Sequence, residues 1–179
     1  MKLDHAAILA GGFGKRLGEI TKKTPKPLIR INNLEFIKYL IFDLVKNNFK
    51  KIVILTYYKD NLFKNIFKSV KLRNIEIVCL KERRALGTGG AIAQLKKFKK
   101  NFLILNGDSY TKLDYKKFLI LKKNNIGKIL LIKNKNYKSN NKLNNLNLNS
   151  KNQIIFSKKK KFMNGGIYIL RKNFIIKLP

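Results

Sequence analysis

The chain has 179 residues, 45% of them apolar and 28% charged, which is enough for one domain with its own core and excludes disordered and fibrous classes. Its apolar runs are broken by lysine after a few residues, far short of the roughly 18 that a membrane-spanning helix needs. The net charge of +32 comes from 41 Lys and Arg against nine Asp and Glu, yet only six of the 41 are Arg. Lys, Asn and Ile dominate and all have A/T-rich codons, so most of this charge reads as compositional bias on a solvated surface. A non-specific attraction to polyanions stays open beside it, but no specific nucleic-acid partner is expected.

The N-terminus carries Asp4 and His5 before a short apolar run and Lys15-Arg16 after it. It therefore lacks the apolar centre of about 7 to 15 residues that marks a signal peptide. The single cysteine, Cys79, falls in the apolar run 75–80 and reads as a buried free thiol in a reducing compartment. The chain is expected in the cytoplasm.

Apolar runs alternate with amphipathic stretches: strand 6–10, helix 34–48, strand 51–56, helix 59–69, strand 75–80, helix 91–98 and strand 102–106. Leu34, Ile37, Ile41, Leu44 and Val45 recur at helical spacing, as do Leu62, Phe63, Ile66 and Phe67. Strands joined through helices need crossover connections, so the expected fold is α/β: a Rossmann-like three-layer sandwich with a mostly parallel central sheet. Ligands of such sheets bind beyond the carboxyl ends of the strands. A helix at 114–124 and a strand at 128–133 extend the pattern. The 19 residues 134–152 contain nine Asn and read either as a loop or, with 146–148 and 153–156 as its arms, as a hairpin. A strand at 165–170 and the start of a helix at 172–177 follow. One domain is expected over 1–179, with a core at 1–133 and a part of different character at 134–179.

Chemistry concentrates in Leu9-Ala10-Gly11-Gly12-Phe13-Gly14-Lys15-Arg16-Leu17, directly after the first strand. Glycines let backbone N–H groups approach a phosphate, and Lys15 and Arg16 add positive charge. The spacing fits neither the P-loop, since Arg16 follows Gly14-Lys15 where Ser or Thr is needed, nor the dinucleotide fingerprint, which would require glycine at position 17. In Thr24-Pro25-Lys26-Pro27-Leu28, two prolines restrict the chain around one cation. Asp108, at the end of a strand, suits either a turn cap or a magnesium ligand. One His and one Cys exclude a zinc cluster and an acyl-transfer triad.

These two segments resemble the signature of the sugar-1-phosphate nucleotidylyltransferases. Leu86-Gly87-Thr88-Gly89-Gly90-Ala91, Leu105-Asn106-Gly107-Asp108 and Asn164-Gly165-Gly166-Ile167-Tyr168 agree with it. The combination is most similar to the bacterial heptose-1-phosphate guanylyltransferase branch, with mannose-1-phosphate guanylyltransferases close behind. The resemblance implies the nucleotide-diphospho-sugar transferase fold and the transfer of a nucleotidyl group, GTP favoured, to a heptose or mannose 1-phosphate for surface glycans such as lipopolysaccharide. It also implies that the core at 1–133 is nucleotide-binding and the part at 134–179 sugar-phosphate-binding. It places Leu9, Gly11, Gly12, Gly14, Lys15, Gly87 and Thr88 around the nucleotide, Arg16 at the departing pyrophosphate and Lys26 at the reacting phosphates. It assigns Gly107, Lys159, Asn164 and Gly165 to the sugar phosphate, Asp108 to Mg2+, and allows a homo-oligomer.

Two departures qualify the resemblance. The family's Phe-x-Glu-Lys element falls on Phe156-Ser157-Lys158-Lys159, so the cation is kept and the acid lost. No carboxylate follows Asp114, so the family's second magnesium-binding Asp has no counterpart and the C-terminal part is expected to be shortened. A catalytically inactive nucleotide-binding relative, or a basic protein that binds nucleic acid through its surface field, are the alternatives to an enzyme.

Overall fold

Strand β1 (His5–Leu9) is built of small and branched apolar residues that are buried on both faces, which suits the middle of a covered sheet. It pairs in parallel with β4 (Lys51–Thr56) on one side and with β6 (Phe102–Asn106) on the other. β5 (Glu76–Lys81) adds in parallel to β4. β10 (Phe162–Leu170) lies antiparallel between β6 and β7 (Gly127–Lys133). The computed structural model describes residues 3–68, 74–133, 146–156 and 161–179. The sheet thus runs β5-β4-β1-β6-β10 with β7 also paired to β10; among these six strands β10 alone runs against the others, and the sheet is mostly parallel as expected.

Alternate residues of these strands feed two cores. Ala6, Ile8, Ile52, Ile54, Leu103 and Leu105 face the helices α2 (Phe36–Lys46), α3 (Asp60–Phe67) and α5 (Tyr115–Phe118). Ala7, Val53, Leu55, Phe102 and Ile104 face α4 (Gly87–Ala93) and α6 (Lys172–Ile175). This is the three-layer arrangement. Side chains such as Ile37, Leu44, Ile54 and Phe63 are fully buried, each contributing roughly 1.5–3 kcal/mol relative to exposure.

The structure differs from the sequence expectations at several boundaries. The apolar periodicity at 34–48 hides a hairpin of β2 (Arg30–Ile31) and β3 (Leu34–Glu35), so α2 starts only at Phe36. Asn32 and Asn33 both take left-handed conformations, the geometry a two-residue hairpin turn requires. The helix expected at 114–124 lasts four residues, because Lys128 Nζ donates to the carbonyls of Lys117, Phe118 and Ile120 and closes its C-terminal end. α4 starts at Gly87, ahead of the expected 91, and residues 94–98 tighten into a 3-10 turn. The hairpin reading of 146–156 holds, with β8 (Leu146–Leu148) against β9 (Ile154–Phe156). Cys79 is half-buried in β5, and burial pushes its thiol up to about 11.

Candidate active site

At the carboxyl ends of β1, β4, β5 and β6 lies a cleft of about 690 Å3 lined by the loops that leave those strands. The glycine-rich loop after β1 forms one wall. Gly14 there has φ of 67°, and a Cβ on it would stand 2.7 Å from Thr21 Cγ2, so both backbone shape and space require glycine. The 3-10 turn Lys15–Leu17 that follows carries its two cations exposed at the cleft. Leu9, Gly11, Gly12, Gly14, Lys15, Arg16, Lys26, Gly87, Thr88 and Asp108, ten residues singled out in the sequence from four separate segments, all line this one cleft.

Lys26 and Asp108 meet across it, 82 residues apart in sequence, with Nζ to Oδ2 at 2.7 Å and each side chain about one-third exposed, at 32% and 33%. The 3-10 turn Lys26–Leu28 starts directly after Pro25, and its Pro27 and Leu28 are buried, which anchors the turn beneath the lysine. On the other side Gly107 follows β6 directly: its N–H donates to Leu9 O at 2.8 Å, and a Cβ there would sit 2.7 Å from that same oxygen. Gly107 therefore lets the end of β6 close against β1 and sets the direction of Asp108, while the lining is supplied by its neighbours. Partial burial pushes the Asp108 carboxyl up. The hydrogen bond and charge of Lys26, the Ser109 hydroxyl and the charge of Arg16 outweigh it, and the group lies below the usual carboxylate range.

The far wall holds residues that the sequence did not single out, Glu82, Tyr57 and Ala85. Glu82 is 4% exposed, follows β5 directly, and accepts the Leu86 N–H at 3.1 Å. Burial pushes its carboxyl above the usual range, with that hydrogen bond opposing. Its only sequence signal was position, one residue after an apolar strand and five before Gly87. Phe13 packs on the rings of Tyr57 and Tyr58 at 5.7 and 5.4 Å, so an aromatic cluster supports the glycine loop from the side of β4.

The sugar-side candidates sit elsewhere. Asn164 donates to the Tyr168 hydroxyl at 2.7 Å and accepts from Gly166 N at 2.8 Å, bridging an irregularity in the pairing of β10 with β7. Gly165 is buried against Leu130, and Gly166 presses on Asn106, whose side chain lines the cleft. Asn164 and Gly165 thus do not line the cleft; their neighbour Gly166 lies against Asn106, which does. Lys159 lies outside the described residues. Among the described residues no three acidic, His or Cys groups gather as a metal cage, and no helix is long and apolar enough to cross a membrane.

Residues 5–178 match the family model described as nucleotidyl transferase. Over 175 residues the chain is 36% identical to the D-glycero-alpha-D-manno-heptose 1-phosphate guanylyltransferase of Campylobacter jejuni, covering 94% of this chain and 76% of that protein. It is 28% identical over 128 residues to the mannose-1-phosphate guanylyltransferase of Mycobacterium tuberculosis, covering 70% of this chain and 36% of that one. Among solved structures, HddC from Yersinia pseudotuberculosis complexed with GMP-PN superposes with a TM-score of 0.79 at 28% identity, over 99% of this chain and 80% of that one. The inositol-1-phosphate CTP transferase of T. maritima has the same fold, with a TM-score of 0.79 at 20% identity over 97% of this chain and 72% of that one. With these matches joined to a glycine loop, a lysine turn and an aspartate that converge on one cleft, the chain belongs to the nucleotidyl transferase family.

Proposed function

We propose that the protein joins a nucleoside triphosphate, GTP by preference, to a sugar 1-phosphate of the heptose or mannose class, releasing pyrophosphate and leaving a nucleotide-activated sugar. The observation that carries this reading is the gathering of Lys15, Arg16, Lys26 and Asp108 around one glycine-walled cleft. A phosphate monoester with a second pKa of about 6 is largely ionised at neutral pH, so its oxygen needs no general base. It attacks the α-phosphorus in line, the bond to the β-phosphate bridging oxygen breaks, and the pyrophosphate leaves with that electron pair. The protein's work is then positioning and neutralising charge: the glycine loop and Arg16 at the triphosphate, Lys26 at the reacting phosphates.

Magnesium fits this cleft in one way. A single carboxylate, Asp108, faces the phosphate side, and Mg2+ is commonly held by one or two carboxylates together with substrate phosphates. Asp108 would hold it, and the ion would neutralise charge on the phosphates. Base choice would rest on Glu82, a buried carboxylate in the same cleft lining as Gly87 and Thr88: one of its oxygens takes the Leu86 N–H, and its remaining acceptor capacity suits the N1–H and 2-amino donors of guanine. The guanylyltransferase names of the relatives support the same choice. The lone thiol and the nucleotide substrate both suit the cytoplasm.

The test is pyrophosphate release by the purified chain with magnesium, each nucleoside triphosphate being paired with heptose, mannose and glucose 1-phosphates. Release that requires GTP and a heptose or mannose 1-phosphate together is expected. Nucleotide binding without release would instead identify an inactive relative, and salt-sensitive binding of any polyanion that survives Arg16→Ala would identify a basic nucleic-acid-binding protein.

A further inference from the structure

The two cations of the phosphate loop sit on a turn that has left-handed glycines at both ends, Gly14 with φ of 67° before it and Gly18 with φ of 55° after it. Such a turn has few reasons to hold one shape, since Lys15, Arg16 and Leu17 are all exposed and none is buried in the core. Its own backbone supplies two bonds, Leu17 N–H to Gly14 O at 2.9 Å and Gly18 N–H to Lys15 O at 3.2 Å. A third element closes it from below. Thr21, 3% exposed, stands with its hydroxyl 3.1 Å from Gly14 O and 3.1 Å from Gly18 O, so one proton is shared between the carbonyls at the two ends of the turn.

Thr21 is held in its turn from the opposite side. It belongs to the short helix α1 (Glu19–Lys23), whose last carbonyls would otherwise lack partners. The Tyr58 hydroxyl donates toward the carbonyls of Thr21 and Lys22 at 3.0 and 3.2 Å, and Lys59 Nζ to those of Lys22 and Lys23 at 2.5 and 2.9 Å. Tyr58 and Lys59 lie two and three residues after the end of β4, and Lys59 takes a left-handed conformation to turn into α3. The chain of contacts therefore runs from a central strand, through two side chains, to α1, to Thr21, and so to the carbonyls that bracket Lys15 and Arg16. Neither Thr21 nor Lys59 lines the cleft.

We propose that Thr21 is a positioning residue that latches both ends of the cationic turn into its nucleotide-binding shape, with Tyr58 and Lys59 fixing the latch to the sheet. This rests on the phosphate-loop reading above, but it concerns the loop's shape as well as its ligand, so two separate measurements decide it. Thr21→Val keeps shape and burial and removes the shared proton, while Thr21→Ser restores the proton and removes the methyl.

Amide hydrogen exchange of Leu17 and Gly18 in the ligand-free protein reads the latch. About a tenfold faster exchange is expected in Thr21→Val, with Thr21→Ser near wild type. Titration with GTP reads the consequence: dissociation constant and KM for nucleotide rise about tenfold in Thr21→Val, while the KM for sugar 1-phosphate stays in place and Thr21→Ser again restores the wild-type value. A general loss of structure would move both KM values together. Tyr58→Phe, which alters no cleft residue, should shift the same two amides in the same direction by a smaller factor. Wild-type exchange at Leu17 and Gly18 in Thr21→Val would overturn the latch. If the wild type binds no nucleoside triphosphate, the proposed function falls while the exchange result still decides the latch.

Discussion

The two halves of the sheet prepare their parts of the site in opposite ways. In the parallel half, β5-β4-β1-β6, every strand ends at the cleft, and the loops that leave the strands bring polar groups from distant segments into its lining: Lys15 and Arg16 after β1, Glu82 after β5, Asp108 after β6. In the antiparallel half, β10 crosses the sheet against the others and its polar residues are tied to one another, Asn164 to Tyr168 and to Gly166. The charges divide the same way. All nine carboxylates of the chain lie at or before Asp114, whereas the later residues carry none. Parallel strands bring several loops to one edge, so charges from distant segments can converge there, as Lys26 and Asp108 do; an antiparallel hairpin returns its residues to their own neighbours.

The largest expected effect therefore belongs to the parallel half. Arg16→Ala and Asp108→Ala should each lower kcat/KM for pyrophosphate release by about 10²- to 10³-fold, since each removes a charge placed where charge develops on the phosphates. Thermal unfolding should barely move, because Arg16 is exposed and the Lys26–Asp108 pair is exposed enough to add little stability. Near-normal turnover in either variant would remove that residue from the site and weaken the contrast between the halves.

Glu82→Gln sharpens the contrast by asking what the buried carboxylate is for. Replacing one of two acceptors by a donor should cut the preference for GTP over ATP by about 10- to 100-fold, the range of a hydrogen bond to a charged group. The comparison of kcat/KM for the two nucleotides measures it directly, and an unchanged ratio would mean that the base is read elsewhere. On the antiparallel side a smaller effect is expected. Asn164→Ala should raise the KM for sugar 1-phosphate by no more than about tenfold, because the amide is already engaged within β10 and acts on the cleft through Gly166 and Asn106. A loss as large as that of Asp108→Ala would show that β10 faces the substrate after all.

The same contrast explains what the sequence could and could not reveal. The glycine loop, the Pro-Lys-Pro turn and Asp108 are legible because loops leaving parallel strands carry local constraints, a left-handed Gly14 or a Pro27 packed under its neighbour, that only a few residue types satisfy. Glu82 was hidden because its place in the cleft lining comes from tertiary burial, which no local pattern encodes. The β2–β3 hairpin was hidden for the reverse reason: Leu34 satisfies the helical period of α2 while sitting in a strand, and only the Asn32-Asn33 pair signals the turn. Gly107 and Asn164 were legible as motif members, but their positions depend on how β6 closes on β1 and how β10 bulges against β7, both long-range pairings.

The smallest expected effect tests the division of carboxylates through stability. Glu35 is 7% exposed and accepts from Lys38 at 2.8 Å and from Arg30 at 3.2 Å. The Lys38 hydrogen bond above all, with a backbone hydrogen bond and Arg30 assisting, holds its carboxyl down at about 2, from an ordinary 4.5. A group whose folded-state pKa is lowered stabilises the fold above its unfolded value and loses that contribution as the pH falls through the folded value. The window here is 4.5 down to 2. Glu35→Gln should therefore lower the thermal midpoint at pH 7 by about 2 to 4 °C, equivalent to roughly 1 kcal/mol for a chain of this size, and the difference from wild type should close as the pH is taken from 4.5 to 2. A gap that persists unchanged at the acid end would mean that Glu35 contributes through packing and not through its charge, because a protonated carboxyl and the glutamine amide should then stabilise the β2–β3 hairpin about equally.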